Sequence, residues 1–209
     1  VHELGHSLGL GHSNLLQCDG SARDGNWGRE CRAVEYGGAI DVMGNVDTTS
    51  PLSIYHQWRI GLLEKSEIKI SWKSEEIELK PSTSYGSIRS VFIKDGRASY
   101  WIEYRKARPT DSYKSGLIIY RTDPPPVSAI ISPNPEDSIG AEPDSSVTVD
   151  FWMMNLGDYR YSSGRSSGSM TLGETSSVKL ASGNIELTVT SITESALTLK
   201  ISRKVDTAA

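Results

Sequence analysis

The chain opens on a stretch that decides its local fold, His2-Glu3-Leu4-Gly5-His6-Ser7-Leu8-Gly9-Leu10-Gly11-His12. An α-helix advances about 100° per residue, so His2 and His6 would lie one turn apart on the same helical face. Their imidazoles would then reach one cation from the same side, at the roughly 2.0–2.1 Å typical of zinc–nitrogen bonds. We therefore predict that a helix presents His2 and His6 as zinc ligands.

The third histidine of this stretch requires the helix to end. His12 follows His6 by six residues, which on a continued helix is about 240° round the axis and would point its side chain away from the metal. Gly9 lies between them, and glycine commonly ends helices because it adopts positive φ without a steric penalty. We predict that the chain turns at Gly9 and brings His12 to the same ion.

Three histidine ligands would leave the fourth tetrahedral position of Zn²⁺ open, as in catalytic zinc sites. Zinc held in this way lowers the pKa of a bound water to near neutrality. Glu3 would accept a proton from that water and pass it on, as general base and then general acid. The alternative, a helix with solvated or core-packed histidines, is disfavoured because three of the four histidines of the chain lie in this stretch.

The spacing HExxHxxGxxH is the zinc signature of the metzincin metallopeptidases, and residues 2–12 resemble it. Metzincins also carry a methionine turn beneath the zinc. Residues 35–44, EYGGAIDVMG, are similar to that turn in the form typical of gametolysin-like secreted peptidases. The resemblance implies that Met43 forms the floor of the site. Asn45 stands where astacins and serralysins have a zinc-binding tyrosine, so no tyrosine ligand is expected.

The resemblance implies a zinc-dependent endopeptidase that acts on extracellular proteins or peptides. Residues 1–65 would then be the C-terminal subdomain of a metzincin catalytic domain, with the active-site helix, the methionine turn and a second helix at 51–63. We expect the chain to be a piece of a longer protein whose N-terminal subdomain supplies the upper wall of the cleft. The alternative is a non-catalytic zinc-bearing module whose β-rich region binds matrix or cell-wall polymers.

The chain changes character after residue 65, where short segments rich in β-branched and aromatic residues are separated by turn residues. Several of them alternate apolar with polar residues, which is the pattern of half-buried strands. The spacing predicts an antiparallel β-sandwich-like domain over residues 66–205 and an α+β chain overall. The predicted strands are 67–72, 76–79, 87–94, 99–104, 116–121, 147–154, 177–180, 185–192 and 196–202.

Composition and cysteine content limit which partners and which cellular compartment are expected. A net charge of −4 disfavours a nucleic-acid partner. The sequence contains no run of 18 apolar residues, so no membrane-spanning helix is predicted. Cys18 and Cys31 lie in a polar, Gly-rich stretch, residues 16–50, that we expect to be irregular. Two cysteines there favour a disulfide in an oxidising, extracellular compartment, the alternative being free thiols in a cytosolic protein.

Several polar residues admit two interpretations. Asp41 is a candidate to orient a zinc-binding imidazole or, equally, to stabilise its own turn. His56 could contact the substrate or support a metal ligand, but it is expected to pack or to lie on the surface of the second helix, beside Tyr55 and Trp58. Glu103 and Arg105, in one predicted strand, are expected to face solvent.

Two further groups admit a ligand-binding interpretation. The aromatic residues of the β-rich region could form a carbohydrate or peptide platform, but aromatic residues in strands are more often part of the core. The acidic residues of the segment from Cys18 to Cys31, which we call the cysteine loop, could bind Ca²⁺. Their spacing matches no EF-hand, which favours solvated carboxylates. The aromatic group is Trp101, Tyr104 and Trp152, and the acidic group is Asp19, Asp24 and Glu30.

Overall fold

The computed structural model describes residues 1–19, 22–38, 40–44, 50–111, 113–123, 130–131, 151–154 and 170–204. This part of the chain is mostly β-sheet, with two short helices, α1 (His2–Ser7) and α2 (Ile54–Arg59), and a 3₁₀ turn at Lys65–Glu67. The strands are β1 (Ser13–Cys18), β2 (Cys31–Val34), β3 (Ile68–Ser71), β4 (Glu75–Leu79), β5 (Ser90–Asp95), β6 (Ala98–Arg105), β7 (Gly116–Arg121), β8 (Ile130–Ile131), β9 (Phe151–Met154), β10 (Ser177–Lys179), β11 (Ile185–Ile192) and β12 (Leu197–Arg203). Among the described residues, no helix is long and apolar enough to span a membrane.

The strands form two sheets. The smaller one is antiparallel throughout, in the order β10-β11-β12-β4. The larger one has the order β3-β5-β6-β7-β9-β1-β2-β8, and its pairs β3·β5, β9·β1 and β2·β8 run parallel. The expectation of purely antiparallel sheets is therefore corrected, because strands far apart in sequence are free of the hairpin constraint that enforces antiparallel pairing.

Strands from both sides of residue 65 share the larger sheet, since β1 and β2 are hydrogen-bonded into it beside β9. The boundary proposed at residue 65 therefore does not coincide with a break in hydrogen bonding. The division into 1–65 and 66–205 itself stays a prediction.

The strands predicted after residue 66 are close to those observed. β7 and β11 have the predicted bounds, and the others differ by one to three residues wherever both ends are described. Strands β1 and β2 are a correction, because they lie where a turn followed by an irregular stretch was expected. Leu15 and Leu16 in β1 are both fully buried on opposite faces of the sheet, so no alternation of polar and apolar residues marks this strand.

The main hydrophobic core lies between the two sheets, and a second cluster lies on the other face of the larger sheet, against α2. Both faces of the larger sheet are therefore covered. Representative members of the main core are Leu16, Ile102, Ile119, Leu187 and Leu199. Members of the second cluster include Leu15, Ile54, Trp101, Ile118 and Met153.

Because both faces of the larger sheet are covered, the charged residues of strand β6 are buried. Tyr100 and Ile102 face the core between the sheets, whereas Trp101 packs on the α2 side. Side chains alternate along a strand, so Glu103 and Arg105 also point to the α2 side, where they are 0% and 2% exposed. The prediction that they face solvent was wrong, because α2 and the chain before it cover this face.

These buried charges attach α2 and the preceding turn to the sheet. Arg105 and Glu103 form an ion pair, and Arg105 Nη1 donates to the carbonyl oxygen of Ile40 at 2.9 Å. Glu103 Oε2 accepts the backbone N–H of Ile54 at 3.0 Å, at the start of α2. One charge pair on β6 therefore fixes two loop segments at once.

Helix α2 is shorter than the predicted 51–63. Ser53 caps its start, since its Oγ accepts the backbone N–H of His56 at 3.1 Å, which is a typical N-cap bond. Pro51 therefore precedes the helix instead of lying in its first turn. Gly61, with a φ of +78°, follows its last turn and allows the chain to leave the helical path.

The cysteine loop is held by the predicted disulfide. Cys18 and Cys31 face each other across β1 and β2 and are bonded. Asp24 within this loop is not solvated, which corrects the expectation for it, because Arg121 Nη1 and the Tyr100 hydroxyl each donate to its carboxylate at 2.6 Å. Burial raises the pKa of Asp24, and the charge of Arg121 opposes that shift.

A second buried ion pair joins α2 to the start of β3. Arg89, fully buried, donates to both carboxylate oxygens of Glu67 at 3.0 and 2.8 Å. It also donates to Gln57 Oε1 and to the carbonyl oxygens of Leu62 and Ser82. The hydrogen bonds from Arg89 are the main reason that the pKa of Glu67 is lowered from 4.5 to about 2.

We predict that this pair makes the fold sensitive to acid. Because the pKa of Glu67 is lower in the folded chain, its contribution to stability is present above pH 4.5 and is lost as the pH falls towards 2. A shift of this size corresponds to about 3 kcal/mol. Urea unfolding between pH 6 and pH 2 measures the loss.

The matched variant is Glu67→Gln combined with Arg89→Met, which removes the charge pair without leaving a buried charge uncompensated. Its free energy of unfolding should fall less steeply with acidification than that of the wild type. Glu78→Gln is the control, since Glu78 is 61% exposed in its pair with Lys80. Equal pH slopes for the double variant and the wild type would contradict the assignment.

Candidate metal centre

Helix α1 ends in a turn at Gly9. The N–H of Gly9 donates to the carbonyl oxygen of His6 at 2.9 Å, and the N–H of Leu10 donates to that of Gly5 at 3.0 Å. With a φ of +81° at Gly9, these two bonds make the helix ending known as a Schellman motif. The chain reverses there and carries His12 back towards the helix.

The structure brings the three histidines of the opening stretch together. One ring nitrogen from each of His2, His6 and His12 lies within 4.8 Å of the others. The Nε2 atoms of His2 and His6 are 3.1 Å apart. Two nitrogens bound to one tetrahedral zinc at roughly 2.0–2.1 Å would stand about 3.4 Å apart, so the observed spacing fits a shared ion.

Hydrogen bonds at the other ring nitrogen orient the two helical imidazoles. His2 Nδ1 lies 2.8 Å from the carbonyl oxygen of Val42, and His6 Nδ1 lies 2.9 Å from that of Leu10. A carbonyl oxygen only accepts, so each Nδ1 is the donor, and a ring whose only proton is at Nδ1 presents an Nε2 lone pair. Two such lone pairs facing each other at 3.1 Å would repel, and a cation between them would remove the repulsion. The donor set therefore fits a metal ion.

The third histidine has a carboxylate partner, for which no role was predicted. His12 Nδ1 lies 3.2 Å from Glu35 Oε1, and the Tyr36 ring packs on His12 with 3.8 Å between ring centroids. Burial lowers the pKa of His12, against the opposing effect of Glu35. Both residues lie in the methionine-turn motif, but their spacing carries no signal for this contact, because pairing of β1 with β2 creates it.

Met43 forms an apolar floor beneath α1. It is fully buried and clusters with Leu10 and Val42. A Cβ added to Gly5 would clash with Met43 Sδ and lie 3.0 Å from Met43 Cε. The helix therefore approaches Met43 so closely that a Cβ at position 5 would require the buried methionine side chain to shift, which gives a packing reason for a residue that is otherwise unfavourable within a helix.

Asp41 holds the turn in place. Its carboxylate accepts the backbone N–H groups of Met43 and Ser53 at 2.8 and 2.9 Å, and lies 2.9 Å from His56 Nδ1. Burial disfavours ionisation, but His56 and these hydrogen bonds outweigh it and hold the pKa of Asp41 below its ordinary value. Of the two roles weighed for Asp41, the turn-stabilising one has its contacts present, whereas the Nδ1 atoms of His2, His6 and His12 bond to other acceptors.

Glu3 lies in the first turn of α1 and is exposed to solvent. Burial, the charge of Glu35 and the charge of Glu3, in that order, raise the pKa of Tyr36. Glu3 directly follows His2 in the helix, with its side chain open to solvent.

The other residues named as candidates from the sequence include two buried aromatic residues, one surface carboxylate and two positions that the structure does not describe in full. Trp101 and Tyr104 are 6% and 1% exposed, as expected of core residues, so they offer no open platform. Asp19 pairs with Arg32 on the surface. Asn45 and the side chain of Trp152 lie outside the described residues.

A comparison of the chain with protein-family models, with curated proteins and with solved structures finds no match in any of the three. The class of site therefore rests on the geometry alone. It is a cluster of three histidines that could hold a cation, built from one helix turn and the loop that follows it.

We predict that Gly5→Ala lowers the free energy of unfolding by about 1–3 kcal/mol, because overpacking against Met43 outweighs the helix propensity of alanine. The same substitution in a Met43→Ala background should be neutral or stabilising. Urea denaturation of the four proteins in this cycle measures the coupling.

Gly9→Ala serves as a comparison. An added Cβ meets nothing within 4 Å there, but the positive φ should cost about 1 kcal/mol irrespective of residue 43. If the Gly5→Ala penalty were equally independent of Met43, the packing explanation would be wrong.

Proposed function

We propose that this chain carries the active site of a zinc-dependent endopeptidase, with His2, His6 and His12 as zinc ligands and Glu3 as general base. The observation that carries the proposal is the convergence of three imidazoles, each oriented by a hydrogen bond at Nδ1. The resemblance of residues 2–12 and 35–44 to the metzincin signature and methionine turn supports it. The gametolysin-like peptidases are the group whose turn these residues resemble most.

A zinc ion held by these residues would polarise the substrate carbonyl and lower the pKa of a water molecule. The chain's own groups do the rest. The Glu3 carboxylate accepts a proton from the attacking water and delivers it to the leaving amine nitrogen. The exposed position of Glu3 leaves its carboxylate open to a substrate approaching from solvent. Met43 closes the lower side of the site with apolar surface.

The setting proposed for this activity is extracellular, with proteins or peptides as substrates. The disulfide between Cys18 and Cys31 supports it, because disulfides persist in oxidising compartments. The net charge of −4 gives no support for a nucleic-acid substrate.

We predict that Glu3→Gln in the full-length protein lowers peptidase activity by a factor of about 10²–10⁴, because proton transfer from the attacking water is lost. Zinc content should stay at the wild-type level, since Glu3 is not a ligand. The measurements are cleavage of an unfolded protein substrate and bound zinc per chain.

Glu78→Gln, which removes an exposed carboxylate on the smaller sheet, should leave both quantities unchanged. Wild-type activity in the Glu3→Gln protein would overturn the assignment of Glu3. A zinc-loaded full-length protein that cleaves no peptide bond would favour the non-catalytic binding module instead.

A further inference from the structure

We infer that Glu35 and Tyr36 are positioning residues that fix His12 in the orientation a metal ion requires. This inference rests on the proposed zinc site and concerns how its third ligand is held. The first two ligands share a helix and inherit their spacing from it. His12 lies beyond the end of that helix, so its orientation must come from another part of the chain.

The pairing of β1 with β2 supplies this orientation. Strand β1 begins at the residue after His12, and β2 ends at the residue before Glu35. The two strands are antiparallel, with Leu15 opposite Val34. Extending that register brings Glu35 and Tyr36 alongside the chain that leaves the metal centre, although 22 residues separate His12 from Glu35 in sequence.

A left-handed turn at Tyr36 directs its ring onto His12. Tyr36 has a φ of +56°, a conformation that is uncommon and costly for a bulky residue. The buried side chain of Asn14 holds it, since Asn14 Oδ1 accepts the Tyr36 N–H at 2.9 Å. Such strain persists only where the surroundings determine the backbone strongly.

The residues after Tyr36 lie tightly against β1. The N–H of Gly38 donates to the carbonyl oxygen of Ser13 at 3.0 Å, and a Cβ on Gly38 would lie 2.8 Å from that oxygen. A Cβ on Gly37 would overlap Leu15 Cβ and lie 3.2 Å from the carbonyl oxygen of Val34. The turn is therefore packed and hydrogen-bonded directly against the strand that follows His12.

Glu35 and Tyr36 act on different parts of the same imidazole. The Glu35 carboxylate can only accept, so its contact with His12 Nδ1 keeps the proton there and leaves Nε2 for the metal. The Tyr36 ring covers one face of His12 and restrains its rotation. Tyr36 also stacks with the ring of His2 at 6.2 Å between centroids, so one aromatic ring borders two of the three ligands.

The Glu35 contact differs from those of the other two histidines, which use backbone carbonyls. A carboxylate partner increases the basicity of an imidazole ligand more than a neutral acceptor does, and its loss typically costs 10–100-fold in metal affinity. Glu35 is also the one orienting partner of these three histidines that a side-chain substitution removes directly.

The experiment measures zinc dissociation constants by competition with a chromogenic chelator for the wild type, Glu35→Ala, Glu35→Gln, Tyr36→Ala and Tyr36→Phe. We expect Glu35→Ala to weaken binding by about 10–100-fold and Glu35→Gln to weaken it less, since its amide oxygen still accepts a hydrogen bond. Tyr36→Ala should weaken binding, and Tyr36→Phe, which keeps the ring, should restore it. Glu78→Gln is the control and should bind as the wild type does.

Two readouts separate positioning from general destabilisation. The visible absorption spectrum of the Co²⁺-substituted protein should change in Glu35→Ala, because it reports the ligand geometry. The unfolding midpoint of the zinc-free Glu35→Gln protein should stay at the wild-type value. Wild-type zinc affinity and an unchanged Co²⁺ spectrum in Glu35→Ala and Tyr36→Ala would overturn this inference and leave the zinc site standing. A wild-type chain that binds no zinc would instead overturn the proposed function.

Discussion

The Asp41 carboxylate is fully buried, and it accepts hydrogen bonds from two backbone N–H groups and from His56. A buried carboxylate that loses its partners costs several kcal/mol. The turn around Met43 and the start of α2 at Ser53 are therefore held to one geometry, because movement of either would leave this charge without compensation.

Part of the candidate metal centre is arranged around that turn. The carbonyl oxygen of Val42 orients His2, and the side chain of Met43 sets how closely α1 can approach at Gly5. On the other side, the carbonyl oxygen of Ile40 accepts from Arg105, which ties the turn to the larger sheet. Residues 40–43 thus contact the histidine cluster, pack beneath α1 and attach the turn to the fold, and the Asp41 carboxylate stabilises the backbone conformation that allows these contacts.

Several errors of prediction share one physical source, which is that the larger sheet is buried on both faces. Glu103 and Arg105 were predicted to be surface charges because the segments that cover them, α2 and the chain before it, are distant from β6 in sequence. Strand β1 gives no alternating pattern for the same reason, and β2 went unrecognised with it. The contact between Glu35 and His12 could not be predicted either, since it exists only where these two strands pair.

The features that depend on neighbours along the chain could be predicted from the sequence. The one-turn spacing of His2 and His6 and the reversal at Gly9 follow from helix geometry and from the φ range of glycine, and the alternation in β11 follows from the strand period. The contacts that hold those features in place could be seen only in the folded chain, including the burial of Asp41 and the Glu35 and Tyr36 contacts to His12. These are encounters between distant segments, and the mixed pairing of the sheet that creates them is set by the packing of the whole chain.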